Sequence, residues 1–168
     1  YCLALLPGEF AEGLEFNFKT VEGNELQFID TDGMLNRSEG HYSTPRDLYK
    51  ITSEALMHPL FAQVCSTADY TVSATNKREA FEVHNSNALM SSKGIYGDQY
   101  IYSGVSGVKT GFTKPAGYCL ISTAKKGNMN LFAVVMGCET SAERFAACRS
   151  MLDFGFANYA LVSAELPE

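Results

Sequence analysis

VSGVKTGFTKPAGYCLISTAKKGNMNLFAVVMG, residues 105–137, reads as a β-hairpin with a further strand laid beside it. Two apolar runs, Tyr118–Ala124 and Leu131–Met136, flank the polar Lys126-Gly127-Asn128. Glycine next to asparagine between β-branched runs is the composition of a tight hairpin turn. The run before them contains Lys109-Thr110-Gly111, so this triplet is expected on or beside the strand next to the hairpin.

Side chains alternate along a strand, which gives Lys109 and Gly111 one face and Thr110 the other. A cation beside a missing side chain leaves room for a peptide-like ligand. Backbone groups would hold that ligand by strand addition, with the ammonium at its anionic end. Thr110 adds a hydroxyl if the edge twists outward. An ordinary strand end with a solvated lysine has the same three letters, and the triplet alone does not separate the two readings.

At 168 residues the chain fits one domain with room for a real core. Hydrophobic residues at 46% and charged residues at 19% are those of a soluble globular chain, and 11 Phe with 9 Tyr give the core bulk. A net charge of -6 with no basic run to compensate argues against a nucleic-acid partner. No apolar run reaches the ~18 residues of a membrane span, and no stretch has the order of a signal peptide. Tyr1–Pro7 opens abruptly on apolar residues, from which a removed upstream segment is expected. Cys2, Cys65, Cys119, Cys138 and Cys148 are scattered and odd in number, so core thiols are expected rather than a zinc site or disulfide framework. No metal or cofactor is expected. Asp30-Thr31-Asp32-Gly33 reads as an Asx-type turn without the glutamate of a calcium loop, and Asn36-Arg37-Ser38 is a formal glycosylation sequon.

Better-marked elements begin at His41. Ser43 or Thr44 caps a helix with Pro45 in its first turn, Asp47 favours its positive end, and Leu48, Ile51, Ala55 and Leu56 recur at helical spacing until Pro59. His41, His58 and His84 read as isolated, without the nucleophile and orienting acid a catalytic histidine needs. Within a loosely alternating Val64–Val83, Tyr70–Val72 is expected to pair with Ala80–Val83. Asn85-Ser86-Asn87 is turn-prone, its asparagines holding the loop, and Ser91–Tyr102 is a loop expected to border a cleft. Thr140 and Glu143 make a capping box for a last helix with the stripe Phe145, Cys148, Leu152 and Phe156; Gly155 and Asn158 weaken its end.

In combination and in order, GHYSTPRDLYKIT, HNSNALM, GVKTGFTKPAGYCLISTAKKGNMNLFAVVMG and ERFAACRSMLDFGFANY resemble the D-alanyl-D-alanine carboxypeptidases. These are low-molecular-mass penicillin-binding proteins built on Ser-x-x-Lys, Ser-x-Asn and Lys-Thr-Gly motifs. The resemblance implies an α/β (α+β) transpeptidase-like fold, an antiparallel sheet covered by helices, incomplete here. Residues 1–160 would be the partial domain and 161–168 an exit toward a further region. It implies a serine enzyme of the bacterial cell envelope, outside the cytoplasm, with any membrane anchor beyond this chain. That enzyme removes the terminal D-alanine from peptidoglycan stem peptides ending in D-Ala-D-Ala and is acylated by β-lactams. Lys109 and Thr110 would hold the substrate carboxylate or relay protons. Gly111, Phe112 and Thr113 would bind substrate, Gly111 by leaving room and Phe112 through a backbone N–H at the oxyanion.

The chain departs from that pattern at its start. Tyr1–Pro7 resembles the helix leading to Ser-x-Asn, but Gly8-Glu9-Phe10 stands where Ser-Gly-Asn would be. The nucleophile motif is expected before Tyr1. Ser122-Thr123-Ala124-Lys125 spells Ser-x-x-Lys, a spacing that works at a helix N-terminus, where residues three apart share a face. On a strand they point to opposite faces, so this tetrad is not the nucleophile and base. Two rival readings stay open: a non-catalytic peptidoglycan-binding module, and a serine β-lactamase sharing the triplet.

Overall fold

The computed structural model describes residues 43–162. The expectations for Tyr1–Phe10, the Asp30–Gly33 turn, the Asn36 sequon, Cys2, His41 and residues 163–168 lie outside them. Helix α1 (Pro45–Leu56) is followed by α2 (Pro59–Ser66), a two-stranded ribbon of β1 (Asp69–Val72) and β2 (Phe81–His84), and a long loop. An antiparallel meander of β3 (Val105–Thr113), β4 (Gly117–Lys126) and β5 (Met129–Cys138) then leads into α3 (Ser141–Asn158).

Each element starts and stops for a local reason. Thr44 Oγ1 accepts from the Asp47 amide at 3.2 Å, capping α1, and Pro45 sits at its first position. Pro59 does end that run, but it also opens α2, since its missing N–H costs nothing in a first turn. The loose alternation noted from Val64 therefore begins inside a helix: Val64–Ser66 are the last turn of α2. The ribbon pairs Tyr70 with Val83 and Val72 with Phe81 as expected. Its register also brings His84 Nδ1 to 2.8 Å from Asp69 Oδ1, so His84 is not isolated. The hydrogen bond from His84 is the main cause holding the Asp69 carboxyl below its usual range.

In the meander Lys126 pairs with Met129 across Gly127-Asn128, with Gly127 at φ 58°, where a side chain would be strained. Gly104 sets the start of β3. A Cβ there would lie 2.3 Å from the Lys125 carbonyl oxygen, while the Gly104 carbonyl accepts from the Lys125 amide at 2.9 Å.

Alternation along β4 divides the core in two. Leu120 and Ala124, with Ala133 of β5, face Phe145, Cys148 and Leu152 of α3. Ile121, with Val108 of β3, faces Cys65 of α2 and the partly buried Leu48 and Leu56 of α1. The sheet is thus a middle layer with helices on both faces. The capping box of α3 is complete: Thr140 Oγ1 accepts from the Glu143 amide, and Glu143 Oε2 accepts from the Thr140 amide, both at 3.2 Å. Gly155 packs closely on β5: a Cβ there would meet the tip of the Leu131 side chain, which would have to turn aside. The Ser91–Tyr102 loop turns its tyrosines inward: Tyr100 and Tyr102 are buried, and Tyr96 and Tyr100 lie 5.6 Å from the Phe145 ring.

Of the described cysteines Cys65 and Cys148 are buried thiols, while Cys119 and Cys138 are half-buried. Burial pushes the Cys148 thiol up from 9.0 to about 12. The folded chain therefore keeps a proton that the unfolded chain releases. The stability this confers is complete below pH 9 and is lost as the pH climbs toward 12. Urea unfolding followed across that window is expected to show a steeper loss for the parent than for Cys148→Ala. Equal slopes would show that burial of this thiol does not hold the proton.

Candidate active site

The triplet sits on a strand edge. Among the described residues β3 pairs with β4 alone, Lys109 opposite Ile121, Thr110 opposite Leu120 and Gly111 opposite Cys119. Lys109 and Gly111 share a face, as alternation requires, and the half-buried Lys109 ammonium donates back to the Thr110 carbonyl. Thr110 turns to the other face and is buried. A break in pairing between Val105 and Val108 precedes the triplet, and Gly107 within it carries φ 143°.

That irregular start is anchored from two sides. Asn87 Nδ2 and Ser122 Oγ both donate to the Gly107 carbonyl, at 3.2 and 3.1 Å. Ser122 is fully buried in β4 and spent on this bond, so the Ser-x-x-Lys spelling there is structural. Asn85 Nδ2 reaches the Thr67 carbonyl at 3.1 Å, its Oδ1 accepts from the Asn87 amide at 3.0 Å, and Asn87 Oδ1 accepts from the Leu89 amide at 3.1 Å. The asparagines hold the loop, as expected of them. Between them Ser86 Oγ lies 2.6 Å from Thr110 Oγ1.

A second cation reaches the triplet from α3. Arg144 is buried, and its guanidinium donates to the Gly111 carbonyl at 3.2 Å and to Ser141 Oγ at 3.0 Å, while its Nε has no partner among the described residues. It lies 4.7 Å from the Phe145 ring centre and 5.3 Å from that of Tyr118, and desolvation lowers its pKa from the usual arginine value. Arg144 and Ser86 were not singled out in the sequence. Arg144 did carry a signal, because it stands four and eight residues before Cys148 and Leu152 and so belongs to the core face of α3.

Past the triplet, Phe112 is half exposed and stacks on Tyr118 with ring centres 4.1 Å apart. Thr113 Oγ1 accepts from the Ala116 amide at 3.2 Å, fixing the β3–β4 turn. This turn, with Phe112, Cys138 and Glu139, borders a shallow cavity of about 360 Å³. A larger hollow of about 510 Å³ lies elsewhere, around Tyr49, Phe132 and Met151, and contains none of the triplet. No group of three or more His, Cys, Asp or Glu among the described residues is placed to hold a metal ion.

Residues 10–140 match the family described as D-alanyl-D-alanine carboxypeptidase. The chain belongs to that family. The D-alanyl-D-alanine carboxypeptidase DacF of Bacillus subtilis is 36% identical over 152 residues, covering 90% of this chain and 36% of DacF. Among solved structures, the Streptomyces K15 DD-transpeptidase superposes with a TM-score of 0.67 at 33% identity, over 80% of this chain and 48% of that one. Penicillin-binding protein D2 from Listeria monocytogenes, in its cefotaxime-bound form, gives 0.62 at 28% identity, over 78% and 48%. The carboxypeptidase-family chain thus spans between about a third and a half of these relatives. Its fold is the transpeptidase-like α/β arrangement expected from the resemblance, an antiparallel sheet covered by helices.

Proposed function

We propose that the polypeptide containing this chain is a serine D-alanyl-D-alanine carboxypeptidase that trims the last D-alanine from peptidoglycan stem peptides and is acylated by β-lactams. The observation that carries this is the strand edge bearing Lys109-Thr110-Gly111, unpaired among the described residues, with a second cation, the buried Arg144, tied to the Gly111 carbonyl. An extended peptide laid along β3 finds backbone groups to pair with and positive charge for its terminal carboxylate. In this reading Lys109 and Thr110 come to the carboxylate and the proton transfers from opposite faces of the β3 edge. Gly111 leaves the backbone accessible, and Phe112 and Thr113 complete the substrate run. In this reading the nucleophilic serine and its lysine come from outside the described residues; Ser122 is spent on the Gly107 carbonyl. Action on peptidoglycan places the work outside the cytoplasm. No helix among the described residues is long and apolar enough to cross a membrane.

The test uses the longest polypeptide encoded with this chain, incubated with fluorescent penicillin and, separately, with a peptide ending in D-Ala-D-Ala. A stable covalent adduct together with release of D-alanine is expected. Rapid penicillin hydrolysis would make it a β-lactamase. Neither adduct nor release would overturn the enzyme reading and leave a peptide-binding module.

A further inference from the structure

We infer that Ser86 is a positioning residue for Thr110, setting the direction in which the Thr110 hydroxyl offers its proton to an anionic ligand at the strand edge. This rests on the proposed role of Thr110 in facing a substrate carboxylate. The loop bearing Ser86 is pinned on both flanks, by Asn85 to the carbonyls at the end of α2 and by Asn87 to the Gly107 carbonyl. Ser86 therefore has little freedom to follow or abandon its partner. The 2.6 Å between the two hydroxyl oxygens is at the short end for such a bond. Thr110 is buried, and among the described residues Ser86 is its hydroxyl's hydrogen-bonding partner.

A threonine hydroxyl has one proton and two acceptor directions and rotates to suit its surroundings. Beside a hydroxyl in a fixed place, only two arrangements of the pair use the bond. In one, Thr110 gives its proton to Ser86 and presents a lone pair outward. In the other, Ser86 gives its proton to Thr110, and the Thr110 proton points to the ligand. A carboxylate accepts and cannot donate, so it selects the second arrangement, and the polarised Ser86–Thr110 pair then donates more strongly than a lone hydroxyl. Lys109, which donates to the Thr110 backbone carbonyl, does not compete for the Thr110 side chain.

The experiment compares acylation by benzylpenicillin and by its methyl ester, which masks the carboxylate, in the full encoded polypeptide. Ser86→Ala is expected to slow acylation by benzylpenicillin about tenfold, the worth of one good hydrogen bond, and to leave the ester unchanged. Ser86→Thr restores the rate by restoring a hydroxyl. On a Thr110→Val background, Ser86→Ala is expected to add nothing. The inference is overturned if Ser86→Ala is silent, if it slows acid and ester alike, or if the two substitutions multiply. If Thr110→Val itself leaves benzylpenicillin untouched, the reading of Thr110 fails first and this inference with it. A parent that is not acylated at all overturns both together with the enzyme.

Discussion

Lys109→Ala is expected to slow acylation by fluorescent penicillin at least about a hundredfold, the scale seen when one preorganised electrostatic contact is removed from a transition state. The thermal midpoint should stay within about 2 °C, because a half-buried side chain at a strand edge contributes little to packing. The neighbouring cation cannot take over. Arg144 is buried and its planar head is committed to the Gly111 carbonyl and Ser141. With both of these contacts in place it has no free stem with which to swing toward the reacting atoms. A variant that labels at the parental rate would remove Lys109 from the chemistry. A large fall in melting temperature would instead assign the lysine to the fold.

The largest cost to stability is expected at Phe145→Ala, about 4 kcal/mol, measured as a lower urea midpoint at unchanged slope. Phe145 is 1% exposed and meets Tyr96, Tyr100 and the Arg144 guanidinium, besides the sheet residues of its core. Truncation would leave a ring-sized void between layers that α3 and the sheet cannot close without breaking the rest of the stripe. Phe112→Ala is the control. That ring is 50% exposed and stacks on Tyr118 at the surface, so its loss should cost well under about 1 kcal/mol. A loss below that at Phe145 as well would mean that α3 is not seated on the sheet.

Much of this architecture was legible because its instructions are local. Gly127-Asn128 between two apolar runs is enough to turn β4 into β5, and Thr140 with Glu143 is enough to begin α3. The triplet's strand and the shared face of Lys109 and Gly111 follow from period two alone. What stayed hidden depends on register or on dual meanings. Pro59 was read as a stop, yet the same missing N–H makes proline a good first residue of the next helix. His84 found Asp69 only because the ribbon aligned them opposite each other. The Ser91–Tyr102 loop gave no periodic signal for burial, yet Tyr100 and Tyr102 join the core under α3 with Tyr96 packed against it. Ser86 and Arg144 come to the triplet from 24 residues before Thr110 and 33 residues after Gly111, distances that no local pattern spans.

Those sequence separations also set an order of assembly. The β4–β5 turn closes a loop of only two residues, and such hairpins form in roughly 1–10 μs, so the meander has a cheap nucleus within its own span. The contacts from the Asn85–Asn87 loop to Gly107 and Thr110 close much longer loops, for which more chain entropy must be spent before any bond rewards it. The edge carrying the triplet would therefore be finished late, on a platform already built. Its native opening should likewise precede that of the platform, so amides at residues 85–89 are expected to exchange with solvent ahead of those in β4.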